Sequence, residues 1–325
     1  MADPLRAVAY WTIAPGHGAL RDERLREPRD DEALVRTRHS GISRGTELLV
    51  HAGLVPAESA DRMRAPFQEG DFPGPVKYGY LSVGVVEAGP SSLLHRDVFC
   101  LFPHQDRYVV PAQALTLVPD GVPAQRATLG GVVETAVNAV WDAAPRLGDR
   151  VAIVGAGLVG CCVAAVLRRF PLSRLELVDV DRSRATVASA LGVDFVEPPA
   201  AAGECDIVVH TSATAAGLQR SLELLGDEGD VTELSWYGTR DVTVRLGSVF
   251  HSRRLAVRAS QVGEVAVARR ARRTRADRLS LALDLLRDDA YDALISGTSP
   301  FPELPDTMRK LASAELPALC HVIEY

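Results

Sequence analysis

The chain has 325 residues, 47% of them apolar, and a formal net charge of −6. That length supports two domains with cores of their own, and the mildly negative balance gives no electrostatic case for nucleic acid or an anionic membrane as partner. No apolar run reaches the roughly 18–20 residues of a membrane span, and the opening Met1-Ala2-Asp3-Pro4-Leu5-Arg6 lacks the form of a secretory signal, so a cytoplasmic location is expected.

From the N-terminus to about residue 120 the chain reads as short strands, at residues 6–11, 32–39, 80–88, 97–102 and 108–111, punctuated by Gly and Pro. The pattern changes at Pro119-Asp120-Gly121. Residues 124–144 have apolar positions at helical spacing. A strand at 150–154 then runs into Gly155-Ala156-Gly157-Leu158-Val159-Gly160, and an apolar helix leaves that loop and stops at Pro171. Strands follow at 175–180, 194–196, 206–211, 230–235 and 254–259, with helices at 186–191 and 215–225 between them. Such alternation predicts a parallel sheet covered by helices on both faces. Beyond Gly263 the pattern breaks again: residues 269–288 read as an amphipathic helix whose arginines, 269–278, form an exposed face, and 318–325 as a strand. The fold class is therefore α/β. A Rossmann-type doubly wound sheet occupies residues 121–263, and a β-rich domain is assembled from 1–120 and 264–325, with the site expected in the cleft between.

The glycine loop is the strongest chemical signal. Gly155 permits the tight turn, Gly157 lets a pyrophosphate approach the backbone, and Gly160 allows close helix–strand packing. Free N–H groups at the helix start face the phosphates. The next strand ends at Asp179, whose carboxylate can accept hydrogen bonds from ribose hydroxyls and repels a 2′-phosphate. The reading is a dinucleotide cofactor, NAD in preference to NADP; Arg182 and Arg184 lie just beyond, and Arg184 is a candidate to flank the adenosine.

Five scattered cysteines (Cys100, Cys161, Cys162, Cys205 and Cys320) form neither a metal-binding spacing nor a disulfide framework and are expected as small buried side chains. The cations are almost all arginine, with Lys77 and Lys310 the two lysines. A lysine kept in such a chain points to a position where arginine does not serve.

Over nearly its full length the chain resembles the medium-chain dehydrogenase/reductase superfamily. The resemblance rests on domain order, the glycine loop with Asp179, and two stretches, Ser40-Gly41-Ile42-Ser43-Arg44-Gly45-Thr46-Glu47 and Tyr78-Gly79-Tyr80-Leu81-Ser82-Val83-Gly84-Val85-Val86-Glu87. It implies a GroES-like catalytic domain and a homodimer. Where zinc-dependent members carry a cysteine ligand this chain has Ser43, where they carry a histidine followed by a glutamate it has Tyr80 and Leu81, and the four-cysteine zinc lobe is missing. The chain is similar to a zinc-free branch that includes bacteriochlorophyllide-type dehydrogenases, so no metal is expected. The resemblance further places Arg44 at the pyrophosphate, and Thr135, Thr211, Ser212, Trp236 and Tyr237 around the nicotinamide.

Hydride transfer to a carbonyl needs a partner for the developing oxygen charge. Without zinc the candidates are Lys77, Tyr78 and Tyr80, the lysine lowering a neighbouring phenol's pKa or acting as the acid itself. Glu47 could orient a water, hold Arg44 or pair with Lys77, and Glu134, in an apolar helical run, faces either the cofactor or water. His39, His51 and His104 are weaker candidates. The loop at 52–75, with Arg62, Arg64 and Glu69, is a candidate cover for a small-molecule substrate. The expected function is zinc-independent, NAD-dependent interconversion of a secondary alcohol and a ketone in biosynthesis. The alternatives are reduction of an activated C=C bond and a non-catalytic NAD(H)-binding sensor.

Overall fold

The computed structural model describes residues 5–325; residues 1–4, most of the stretch read for a secretory signal, lie outside the described residues. The chain divides into two compact units, Met1–Gly131 with Ile295–Tyr325, and Val132–Leu294.

The first unit opens with β1 (Arg6–Ala14), β2 (His17–Arg24) and β3 (Glu32–Ser43), then α1 (Arg44–His51). The short pair β4 (Glu69–Gly70) and β5 (Val76–Lys77) follows, then β6 (Ser82–Ala88), β7 (Asp97–Cys100), β8 (Arg107–Pro111), β9 (Thr116–Leu117) and α2 (Ala124–Ala127). The predicted helix at 124–144 is two helices, α2 and α3 (Gly130–Ala143).

In the second unit come β10 (Arg150–Val154), α4 (Leu158–Leu167), β11 (Arg174–Val178), α5 (Arg184–Ala190), β12 (Asp194–Val196) and β13 (Cys205–His210). They are followed by α6 (Ala215–Leu224), β14 (Leu225–Glu233), α7 (Val249–Ser252), β15 (Ala256–Ala259) and α8 (Arg275–Leu285). Its sheet is wholly parallel, in the order β12-β11-β10-β13-β14-β15. The strand order reverses at β10, so the β10–α4 turn lies at the switch point where open α/β sheets bind ligands. The buried runs Val151–Val154 and Val208–His210 are continuous because both faces are covered by helices. α4 is apolar almost all round and buried along its length.

Residues 264–294, expected with the β-rich flank, belong to the second unit. The helix predicted at 269–288 starts only at Arg275, where Thr274 and Asp277 close a capping box. The expected exposed arginine face is also interrupted. Arg278 is buried and paired with Glu134, and it donates to Asn138 and to the carbonyls of Glu264 and Val262. This ion pair anchors α8 to α3 and keeps the segment in the second unit.

The chain then returns to the first unit through β16 (Ile295–Pro300), α9 (Leu304–Ala312) and β17 (Cys320–Glu324). β17 enters a seven-stranded sheet in the order β16-β17-β3-β6-β7-β9, with β8 as the seventh strand, paired to β3, and a four-stranded sheet runs β2-β1-β5-β4. All five cysteines are buried and none forms a disulfide. Among the described residues no helix is long and apolar enough to cross a membrane.

Candidate active site

The second unit carries the glycine loop between β10 and α4. Gly155 has φ +113°, and a Cβ there would lie 2.7 Å from Ser212 N and 2.8 Å from Thr211 Oγ1. The Thr211 hydroxyl donates to Gly155 O at 2.7 Å, fixing the loop against the end of β13. At Gly160 a Cβ would lie 1.9 Å from Gly155 O, so only glycine lets α4 begin this close to the loop. Nothing lies within 4 Å of the corresponding point at Gly157, which leaves the backbone open where a phosphate needs to approach. Leu158 and Val159 form the first turn of α4.

Asp179 follows β11. Its carboxylate accepts from Ala156 N at 2.6 Å and from Asp181 N at 2.9 Å, so it is held beside the loop with acceptor capacity to spare. Both nearby arginines are engaged: Arg182 with Glu197 at 2.7 Å and Arg184 with Asp181 at 3.2 Å.

At the ends of β13 and β14, Ser212 and Tyr237 join a network that sequence reasoning missed. His210 Nδ1 lies 2.7 Å from Glu233 Oε2, and His210 Nε2 lies 2.7 Å from Ser212 Oγ. The Tyr237 hydroxyl donates to Glu233 at 3.0 Å. Glu233 is held below the ordinary carboxylate range: burial raises it, and the bonds from His210 and Ser235 more than offset that. Trp236, between Ser235 and Tyr237, is half-buried. Thr135 stands half-buried on α3 beside Glu134. Glu134 does not face solvent; it is buried on α3. It is spent on Arg278, although burial pushes its carboxyl above the ordinary range.

In the first unit a second buried network surrounds Ser43. Glu47, on α1, accepts from Ser43 N at 2.8 Å and from His104 Nε2 at 2.8 Å. With that tautomer His104 Nδ1 accepts from the Ser40 hydroxyl at 2.6 Å, and Ser40 Oγ accepts from Tyr325 at 2.9 Å. Glu47 therefore pairs with His104, neither with Arg44, which opens α1 half-buried, nor with Lys77. The positions His104 and Tyr325 were legible only as a lone histidine and a terminal aromatic.

Tyr80 interacts with the hydroxyls of Ser43 and Thr46, and its ring meets Tyr78 edge-on at 5.9 Å. Both phenols are pushed up, first by burial; Glu47 also raises both, and Ser43 and Thr46 partly offset the rise at Tyr80. Lys77 does not lower them. Its ammonium is 1% exposed and bonded to Glu23 at 2.7 Å, Glu69 at 2.5 Å and Gln105 at 2.8 Å. It also lies over the rings of Trp11 and Phe102 at 5.7 and 5.9 Å. The expectation that Lys77 tunes a phenol is corrected: successive residues point to opposite faces of an extended chain, and Tyr78 packs instead with Val50, Ala65 and Val76.

The donor set around Ser43 does not fit a zinc ion. Glu47 and His104 are satisfied by each other, and the thiol of Cys320, near Glu47, is pushed up to about 12 by burial. Among the described residues no three His, Cys, Asp or Glu side chains come together as a metal cluster.

No family model matches the chain. It is similar to D-guloside 3-dehydrogenase of Shigella flexneri, 24% identical over 252 residues, covering 69% of this chain and 72% of that protein. L-Idonate 5-dehydrogenase from Escherichia coli superposes with a TM-score of 0.81 at 14% identity, over 99% of both chains. Two further structures have a TM-score of 0.77: an alcohol dehydrogenase from E. coli CFT073 with NADH (14% identity, 98% of this chain and 99% of that one) and a zinc-binding dehydrogenase from Sinorhizobium meliloti with NADP (18%, 99% and 100%). The chain has the fold of the medium-chain dehydrogenases. The sequence and structural similarities together support that superfamily.

Proposed function

We propose that the chain is an NAD-dependent oxidoreductase that interconverts a secondary alcohol and a ketone without zinc. The observation that carries this reading is the glycine loop: closed by packing at Gly155 and Gly160, open at Gly157, with the Asp179 carboxylate beside it. Preference for NAD is supported by that carboxylate and by the engagement of Arg182 and Arg184, the nearest cations for a 2′-phosphate. Alcohol chemistry is supported by the dehydrogenases it resembles.

The bound dinucleotide would supply or accept the hydride. The protein's own task is the proton on the substrate oxygen. Tyr80 is the candidate for it, because Ser43 and Thr46 engage its hydroxyl and partly offset the rise that burial and the nearby Glu47 impose on the phenol. Glu47 is in turn fixed by His104.

Fluorescence titration with NADH and NADPH tests the cofactor, and deuteride from labelled NADH, followed into the products of a ketone panel, tests the chemistry. Deuterium is expected on the carbonyl carbon; on the β-carbon it would identify C=C reduction. Tyr80→Phe should lower kcat by about 10²-fold or more with NADH affinity unchanged. Failure to bind either dinucleotide, or turnover that requires an equivalent of zinc, would refute the proposal.

A further inference from the structure

His210 is completely buried, yet both its ring nitrogens are engaged by groups that chemistry uses: a carboxylate on one side and a hydroxyl on the other. Glu233 is its partner across the parallel ladder, in register on β14. Packing alone gives no reason for such a pair, since an ionisable couple costs free energy to bury. The outer end of the chain of bonds is Ser212, whose backbone abuts Gly155 of the glycine loop.

The hydrogens can be counted. Thr214 Oγ1 accepts from Gly217 N at 3.0 Å, so its own hydroxyl is free to donate to Ser212 Oγ at 2.9 Å. His210 Nδ1 faces the carboxylate and carries a proton in either charge state. When the ring is neutral, Ser212 donates to Nε2 and presents one remaining lone pair outward. When the ring is protonated, Nε2–H and Thr214 fill both lone pairs of Ser212, and its O–H turns outward. The charge of His210 thus converts Ser212 from an acceptor into a donor at the glycine loop.

We infer that Glu233 and His210 are positioning residues that set the hydrogen-bonding sense of Ser212 toward the dinucleotide. The inference rests on the dinucleotide reading above. Phosphate oxygens accept only, and ribose hydroxyls can accept, so the bound state is matched by the donor form and takes up a proton. The titratable groups facing the imidazole are Glu233 from β14 and Tyr237 beyond it. β10 contributes the backbone of Val154, and α6 contributes Gly217, where a Cβ would lie 2.9 Å from Nε2.

The test is the pH dependence of the NADH dissociation constant, measured by fluorescence on the full chain from roughly pH 6 to roughly pH 8. The wild-type Kd should rise about tenfold across that range, one proton being linked to binding. In Ser212→Ala, where the hydroxyl is gone, and in Glu233→Gln, the rise should shrink to within about twofold. Ser212 is half-buried, so Ser212→Ala keeps the test decisive if the buried Glu233 variant fails to fold. A rise that persists unchanged in Ser212→Ala overturns the inference, as does a flat wild-type profile, with the dinucleotide reading left standing. Absence of NADH and NADPH binding at every pH overturns both.

Discussion

Replacing Lys77 by methionine separates the two roles that this residue could hold. In the structure it is an internal cation rather than an acid. Its pair with Glu69, 57% exposed, contributes below about 1 kcal/mol. Glu23, 19% exposed, and Gln105, buried, would each lose a donor, at about 1–3 kcal/mol. The faces of Trp11 and Phe102 add about 0.5–1 kcal/mol each. Methionine fills most of the space of the lysine stem, so little cavity remains. Methionine also escapes the cost of burying an ammonium, which offsets part of these losses, so Lys77→Met should cost about 2–5 kcal/mol and lower the melting temperature by on the order of 10 °C, while kcat/KM for an identified substrate stays within about threefold. Calorimetry and steady-state kinetics on the same preparation check both. A kcat lowered by about 10²-fold or more with an unchanged melting temperature would refute the structural assignment and put the ammonium in the chemistry.

Three other outcomes follow from the same geometry. Asp179→Ser should weaken NADH binding by about tenfold and narrow the preference over NADPH, read by paired titrations, because the carboxylate that repels a 2′-phosphate is gone. Gly160→Ala should destabilise the second unit by about 3 kcal/mol or more, seen as a lower melting point or loss of soluble protein, since the new Cβ meets Gly155 O at 1.9 Å. Glu134→Leu should cost about 3–5 kcal/mol in a denaturant titration by stranding the buried Arg278, and the double change with Arg278→Met should recover most of it.

Local features were legible and distant pairings were not. The glycine loop could be read because its three glycines, preceding strand and Asp179 all lie within one short stretch whose geometry follows from spacing. Glu134 could be read as costly to bury, but its partner is 144 positions away on α8, hidden in a run of arginines that otherwise looks like a solvated surface. Lys77 stands out in the sequence as one of two lysines, but its surroundings come from distant residues. Its compact ammonium gives three donors to three acceptors, Glu23, Glu69 and Gln105, inside an aromatic enclosure that a planar guanidinium does not match. His210 and Glu233 meet only through the register of two parallel strands, which no local pattern encodes. The helix α1, which turns Glu47 toward His104, has no counterpart among the predicted elements, because a helix of eight residues leaves little periodicity to detect.

The return of the chain to its first unit has a consequence for biosynthesis of the protein itself. β17 is an internal strand of the seven-stranded sheet, lying between β16 and β3. On the ribosome β3 must therefore wait for residues 320–324, while every strand of the second unit's sheet has emerged by Ala259. During that interval β3 has an unpaired edge beside a serine, Ser40, whose final partner is Tyr325. Such an edge invites pairing with other chains, so the nascent protein is most exposed to aggregation after the second unit's sheet has been made and before β17 arrives.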